Sequence, residues 1–199
     1  MRATNRQEPM IRKKSAVREW IESIVIAFIL AMFIRTFFIQ AFKIPTGSMT
    51  PTLLVGDKIL VNKFIYGIKI PFMNSRILKI RDPKRGDVIV FKYPEEPRKD
   101  FIKRLVALEG EKLLISEGKI YVNGKALENP LFSQRYYYNR GKYSGGSREV
   151  VIPKDSFYVL GDNSASSRDS RYWGVVPKKN LVGKAFLIYW PPNRVRIIK

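Results

Sequence analysis

The sequence predicts a mainly β domain preceded by one N-terminal transmembrane helix. Three observations lead there. Residues 20–42 read WIESIVIAFILAMFIRTFFIQAF, a nearly unbroken apolar stretch. From Asp57 onward, short runs rich in Val, Ile, Phe and Tyr are bounded by Gly, Pro or Asn, which is strand chemistry. Beyond residue 42 no long segment repeats at the helical period, so the body is expected to be built on sheets.

The chain begins with a basic tail, predicted over residues 1–19 as cytoplasmic. The first twenty residues hold six Lys/Arg against two Asp/Glu, and such a bias keeps that end of a span inside the cell. The anchor is predicted over residues 20–42. Its uncharged core, Ser23–Ile34, is only twelve residues, short for a span. Continuing through Arg35 to Phe42 gives a helix of about 34 Å, with Arg35 within snorkelling reach of the headgroups. Residues 23–34 are apolar all round, unlike an amphipathic surface helix. No small-x-small cleavage site follows, which argues against a removed leader.

Residues 43–199 are expected outside the membrane as one body. Strands are predicted at 58–64, 86–93, 101–108, 119–124, 156–161 and 185–190. Asn123-Gly124 and Glu117-Gly118 read as tight turns between strands. The Tyr-, Arg- and Gly-rich stretch at 131–148 reads as a long, partly mobile insertion. There is no internal repeat.

Composition then narrows the chemistry. The chain has no cysteine and no histidine, which excludes thiol nucleophiles, thiolate or imidazole metal sites and any Ser-His-Asp triad. A formal net charge of +20 suits an anionic partner, either nucleic acid or acidic headgroups. A serine nucleophile in such a chain needs a neutral lysine as its base. That in turn requires a lysine desolvated among apolar groups. Lys103 meets this condition: strand alternation puts Phe101, Leu105 and Ala107 on its face and Arg104 on the other, with Ile102, Val106 and Leu108. Lys58 and Lys63, in their own apolar run, qualify equally on this ground.

Four segments carry a resemblance that separates these lysines. IPTGSMTPTL (44–53), GDKILVNK (56–63), FIKRLVALEGE (101–111) and GDNSASSRDSRYWGVVP (161–177) resemble, in order and spacing, the signature boxes of bacterial type I signal peptidases. The resemblance covers about residues 10–199. It implies the β fold shared by signal peptidases and self-cleaving repressors, with Ser48 as nucleophile and Lys103 as general base. Thr46 would join the Ser48 N–H in the oxyanion hole, and Ser167 would orient the lysine amine. Gly47 would allow close backbone approach, Asp169 and Arg171 would pair beneath the site, and Asp162 and Asn163 would shape its loop. The chain departs from the family pattern at Ser164, where Arg is usual, and at Ala107–Glu111, where a Gly-x-Pro-Gly-Asp tail is usual.

The resemblance implies secretory preproteins as substrates, membrane lipid as surroundings, no nucleic-acid partner, and neither cofactor nor metal. Two other readings stand beside it. One is a Ser-Lys peptidase with a different substrate, such as a self-cleaving repressor or a pilus-processing enzyme; a repressor would need a DNA-binding head where this chain has an apolar anchor. The other is a membrane-anchored basic module that uses the +20 charge and the YYYNR stretch to bind nucleic acid or anionic lipid without catalysis.

Overall fold

Ser15 opens the first helix by accepting the Arg18 N–H at 3.4 Å on its hydroxyl, satisfying one of the orphaned first-turn donors. In this computed structural model, which describes residues 15–69, 76–77 and 79–199, helix α1 then runs Ala16–Phe37. The basic tail falls outside the described residues up to residue 14. Trp20, Ile24, Phe28, Ile29 and other apolar side chains of α1 are exposed. Among the described residues, no helix is long and apolar enough to cross a membrane. Charges at Arg18, Glu19, Glu22 and Arg35 confine the uncharged core to residues 23–34, about 18 Å of helix against a hydrocarbon layer of roughly 30 Å.

The end of the expected helix is a strand instead. Ile39–Phe42 fall in β1 (Ile39–Lys43), which pairs antiparallel with β2 (Lys58–Asn62). Pairing satisfies the backbone of this segment while Phe42 packs against the core, so tertiary contact overrides the continuous apolar pattern.

The other strands are β3 (Ile68–Lys69), β4 (Arg76–Ile77), β5 (Val88–Lys92), β6 (Asp100–Ala107), β7 (Lys112–Ser116), β8 (Lys119–Val122), β9 (Lys125–Ala126), β10 (Val150–Val151), β11 (Ser156–Leu160), β12 (Val176–Pro177), β13 (Leu181–Trp190) and β14 (Arg196–Ile197). Helices α2 (Pro130–Ser133) and α3 (Ser170–Trp173) are single turns. The main sheet runs β1-β2-β13-β5-β6-β11-β12, with β14 on β13. A second sheet runs β10-β7-β8-β9, and β3 pairs with β4. Every described pairing is antiparallel. The body is mainly β, as the sequence predicts. The residues at both predicted tight turns take the positive φ that hairpin turns need: Glu117 at 48° and Gly118 at 77°, Asn123 at 51° and Gly124 at 75°.

The central strands are covered on both sides. Val88 and Val90 of β5 pack with Met49, Ile59 and Val61, while Ile89 and Phe91 pack with Leu105, Phe157 and Trp173. A strand buried on both faces reads as a continuous apolar run. On β6 the expected alternation holds only as far as Leu105. A register shift opposite Tyr158 and Val159 lets Val106 and Ala107 join the cluster under the second sheet, and Leu108 packs with Leu105. The face predicted for Lys103 is therefore corrected at its end by a β-bulge.

The unusual turn after β6 is closed by its own carboxylates. Glu111 accepts the Leu108 N–H at 2.7 Å and pairs with Arg85 at 2.5 Å. Glu109 accepts the Asp155 N–H at 2.7 Å and pairs with Lys178 at 2.5 Å. The 131–148 stretch is tied to the second sheet at several points. Tyr137 is fully buried, its N–H donates to Gly118 O at 2.9 Å, and Asn139 Nδ2 donates to Ile115 O at 2.7 Å.

Gly183 marks the tightest approach within the main sheet. A Cβ there would overlap the Asn62 carbonyl oxygen and lie 2.9 Å from its carbon, neither of which can move without opening the β13–β2 ladder. Gly183→Ala is expected to cost about 1–3 kcal/mol in urea unfolding, the range for overpacking. Gly124→Ala, whose Cβ meets open space, is expected to cost less, through its positive φ alone.

Candidate active site

Thr46, in extended conformation, leads into a single 3-10 turn, Gly47–Met49. Met49 is fully buried and packs with Leu53, Ile59 and Val61, so the turn is pinned to the core through the residue after Ser48. Ser48 is left 7% exposed. Thr46 is exposed and its side chain makes no capping bond to the turn. A Cβ on Gly47 would meet only Thr50 Oγ1, at 3.4 Å.

Strand β6 brings Lys103 to this turn. Its amine lies 2.8 Å from Ser48 Oγ and donates to Ile102 O at 2.9 Å, and the residue is 4% exposed. Burial pulls the Lys103 amine down to about 8, against the pull of Asp169 and Asp162, which favour its charged form. The other lysines of the apolar-run argument are elsewhere. Lys58 is exposed, with its ammonium 5.6 Å from the centre of the Trp190 ring. Burial and the nearby Lys92 also lower Lys63, but its neighbours are Lys92 and Asp100, at the start of β6.

Both carboxylates beside the lysine are neutralised by arginine. Asp169 takes Arg171 Nε at 2.8 Å and Nη2 at 2.8 Å, and both residues are fully buried. Burial opposes the Arg171 charge, yet its bonds to Asp169 hold it firmly protonated. Asp162 takes Arg104 Nε at 2.7 Å and Nη2 at 2.6 Å, with Arg135 Nη2 at 3.3 Å and the Thr52 hydroxyl as further donors. Sequence reasoning placed Arg104 only on the far face of β6 and missed Thr52 and Arg135. The available signal was the adjacent cations Lys103-Arg104 inside an otherwise apolar strand, since a buried guanidinium requires a carboxylate.

The loop after β11 closes the site. Asn163 N–H donates to Ser48 O at 3.1 Å and its Nδ2 donates to Gly47 O at 3.2 Å. Ser167 Oγ is buried with no hydrogen-bond partner among the described residues, so the amine's bonds go to Ser48 and Ile102. Gly161 is a second omission. A Cβ there would overlap Ser167 Oγ and stand 2.5 Å from Ser48 O, so only glycine lets the two serines approach. Ser164 answers the other departure from the pattern: its hydroxyl accepts Arg171 Nη1 at 2.7 Å and the Tyr138 N–H at 2.9 Å.

A hydroxyl held against a buried, easily neutralised amine, with no histidine in the chain, is the arrangement of a serine hydrolase in which lysine can serve as base. The family described as signal peptidase, peptidase S26, matches residues 17–190. Signal peptidase I of Pseudomonas aeruginosa is 36% identical over 93% of this chain and 77% of its own length. Signal peptidase I of Leptolyngbya laminosa is 38% identical over 91% of this chain and 83% of its own length. A crystal structure of a signal peptidase I from Enterococcus faecalis V583 aligns at 30% identity and TM-score 0.44, covering 52% of this chain and 97% of that one. The chain belongs to the S26 signal peptidase family.

Burying Lys103 has a stability consequence. With its amine lowered from 10.5 to about 8, the folded state binds fewer protons than the unfolded state between those values. Stability therefore rises with pH through that window and is lowest below it. Lys103→Met keeps the stem and removes the charge. The variant is expected to be more stable than wild type at pH 7, by about 1–3 kcal/mol. The gain should shrink as pH approaches 10, measured by urea unfolding across pH.

Proposed function

We propose that this chain is a membrane-anchored signal peptidase that removes N-terminal signal peptides from secretory preproteins through a Ser48–Lys103 dyad. The observation that carries the reading is the 2.8 Å contact between a buried amine and a buried hydroxyl. Neutral Lys103 takes the Ser48 proton as Oγ attacks the carbonyl of the scissile peptide. The tetrahedral oxyanion accepts hydrogen bonds from the Ser48 N–H and the Thr46 hydroxyl, donors worth a few kcal/mol each when preorganised. The Lys103 ammonium then protonates the leaving amine, which frees the acyl-enzyme. Water, deprotonated by the same lysine, attacks the ester and releases Ser48. Ser167, with its hydroxyl uncommitted, turns to the Lys103 amine and orients it through the cycle. Asn163, Gly47 and the Arg171–Asp169 pair hold the serine turn and the lysine in register. An extended peptide lying along a strand presents small side chains to two shallow apolar pockets.

The anchor reading completes the proposal. Helix α1 exposes its apolar surface; its uncharged core is short for a span, and on this reading it crosses the membrane once with Arg18 and Arg35 near its two ends snorkelling to the headgroups. The basic tail lies in the cytoplasm and residues 43–199 form an extracytoplasmic peptidase domain. The chain needs no cofactor and acts on no nucleic acid; its positive charge suits work at an anionic headgroup surface.

Purified protein incubated with a preprotein is expected to release the signal peptide, and Ser48→Ala is expected to abolish cleavage; persistence of cleavage would refute the mechanism. The rate should rise about tenfold per pH unit below the lysine value of about 8 and level off above it, because only the neutral amine is a base. Lys103→Arg should stay folded and lose at least about a hundredfold in rate. In spheroplasts, added protease should digest residues 43–199 and spare the first twenty. A protected body would reverse the orientation.

A further inference from the structure

We propose that the Tyr- and Arg-rich segment 135–143 is a strap that positions the loop carrying Ser167, with the Ser164 hydroxyl as the joint between them. The inference rests on the reading of Ser48 and Lys103 given above.

The loop Gly161–Arg171 leaves β11 and returns through α3. The segment crosses it at three points. At one end Arg135 Nη2 reaches Asp162 Oδ2 at 3.3 Å. In the middle, the Tyr138 N–H donates to Ser164 Oγ at 2.9 Å, and the Tyr138 carbonyl accepts Arg171 Nη1 at 2.8 Å. The Arg140 guanidinium also donates to the Ala165 carbonyl. At the far end the Tyr143 N–H donates to Arg171 O at 2.7 Å. Gly141 sits against the same carbonyl: a Cβ there would lie 2.5 Å from Arg171 O and 2.9 Å from its carbon, at a φ of +104°.

The strap is itself fixed at both margins. Buried Tyr137 belongs to the cluster under the second sheet, and the Tyr143 carbonyl accepts the Tyr158 hydroxyl of β11 at 2.9 Å. The rings of Tyr136, Tyr138 and Tyr143 face solvent while the backbone between them grips the loop. Composition therefore gives no hint of the role.

The route to the reacting groups runs through Arg171. Its Nη2 donates to the Ser164 carbonyl at 2.9 Å and to the Ser167 carbonyl at 3.3 Å, while its other donors hold Asp169, Ser164 Oγ and Tyr138 O. Lifting the strap removes an acceptor from a buried guanidinium and frees the loop beside Lys103. Ser167 then loses its place next to Ser48, and water and the Asp169 charge gain influence over the amine. The expected signature is a slower chemical step whose rising pH limb moves upward, with substrate affinity little changed.

The test compares Gly141→Ala with Gly146→Ala in full-length protein. Gly146 lies in the same stretch at φ +58°, and a Cβ there meets nothing within 4 Å, so its alanine variant changes a neighbouring left-handed glycine without touching the loop. The measurements are kcat and KM for preprotein cleavage, kcat/KM against pH, and thermal unfolding. Gly141→Ala is expected to lower kcat about tenfold or more, keep KM within about twofold, and shift the rising limb to higher pH. Gly146→Ala is expected to match wild type in all three. Ser164→Ala, which removes the joint without adding bulk, should reproduce the loss and the limb shift, and it decides the matter should Gly141→Ala not fold. Wild-type kcat and limb position in folded Gly141→Ala and Ser164→Ala proteins would overturn the strap, as would equal losses in both glycine variants. Ser48→Ala in the same assay separates the two claims: surviving cleavage there would remove the underlying mechanism, not the strap alone.

Discussion

A lysine amine buried 2.8 Å from a serine hydroxyl is the constraint around which this protein is arranged. An ammonium in such a place would be expensive, so the fold favours the neutral amine. Two aspartates beside it would undo this if they were free, since each favours the charged lysine. Each is instead occupied by a buried arginine in a two-point pair. The amine therefore sits between compensated ion pairs rather than next to bare carboxylates. Much of the polar network makes sense only as the consequence of that requirement.

The sheet supplies what the network needs. Adjacent residues on a strand point to opposite faces, so Lys103 reaches Ser48 while Arg104 turns to Asp162, and one strand serves both sides of the problem. Burial of β5 on both faces keeps its neighbour β6 from shifting register, which would exchange the two cations between faces. The bulge at Val106 comes only after both residues are placed. Met49 does the equivalent for the turn carrying Ser48 by anchoring it in the core.

The departures from the family pattern fit the same structure. Where the turn after β6 has Ala107 and Glu109 in place of the usual first glycine and proline, Glu109 and Glu111 close it by binding backbone N–H groups and paired cations. At position 164 a small hydroxyl stands where the pattern has a long cation, and it accepts from the Arg171 guanidinium and the Tyr138 N–H.

Much was legible in the linear sequence. Absence of histidine and cysteine directed attention to a serine and a lysine, period-two runs marked six of the strands, and four ordered motifs identified the family before any geometry. These signals are local: each depends on a few residues close together in the chain. Other features were decided only by tertiary structure. Ile39–Phe42 look helical until β2 is there to pair with them. Lys63 and Lys103 look alike until folding sets one beside Asp100 and the other against Ser48. Gly161 and Arg104 derive their importance from partners 113 and 58 positions away, Ser48 and Asp162. The physical reason is common to all: burial and pairing depend on what the rest of the chain brings to a residue, and that is decided only when distant strands meet.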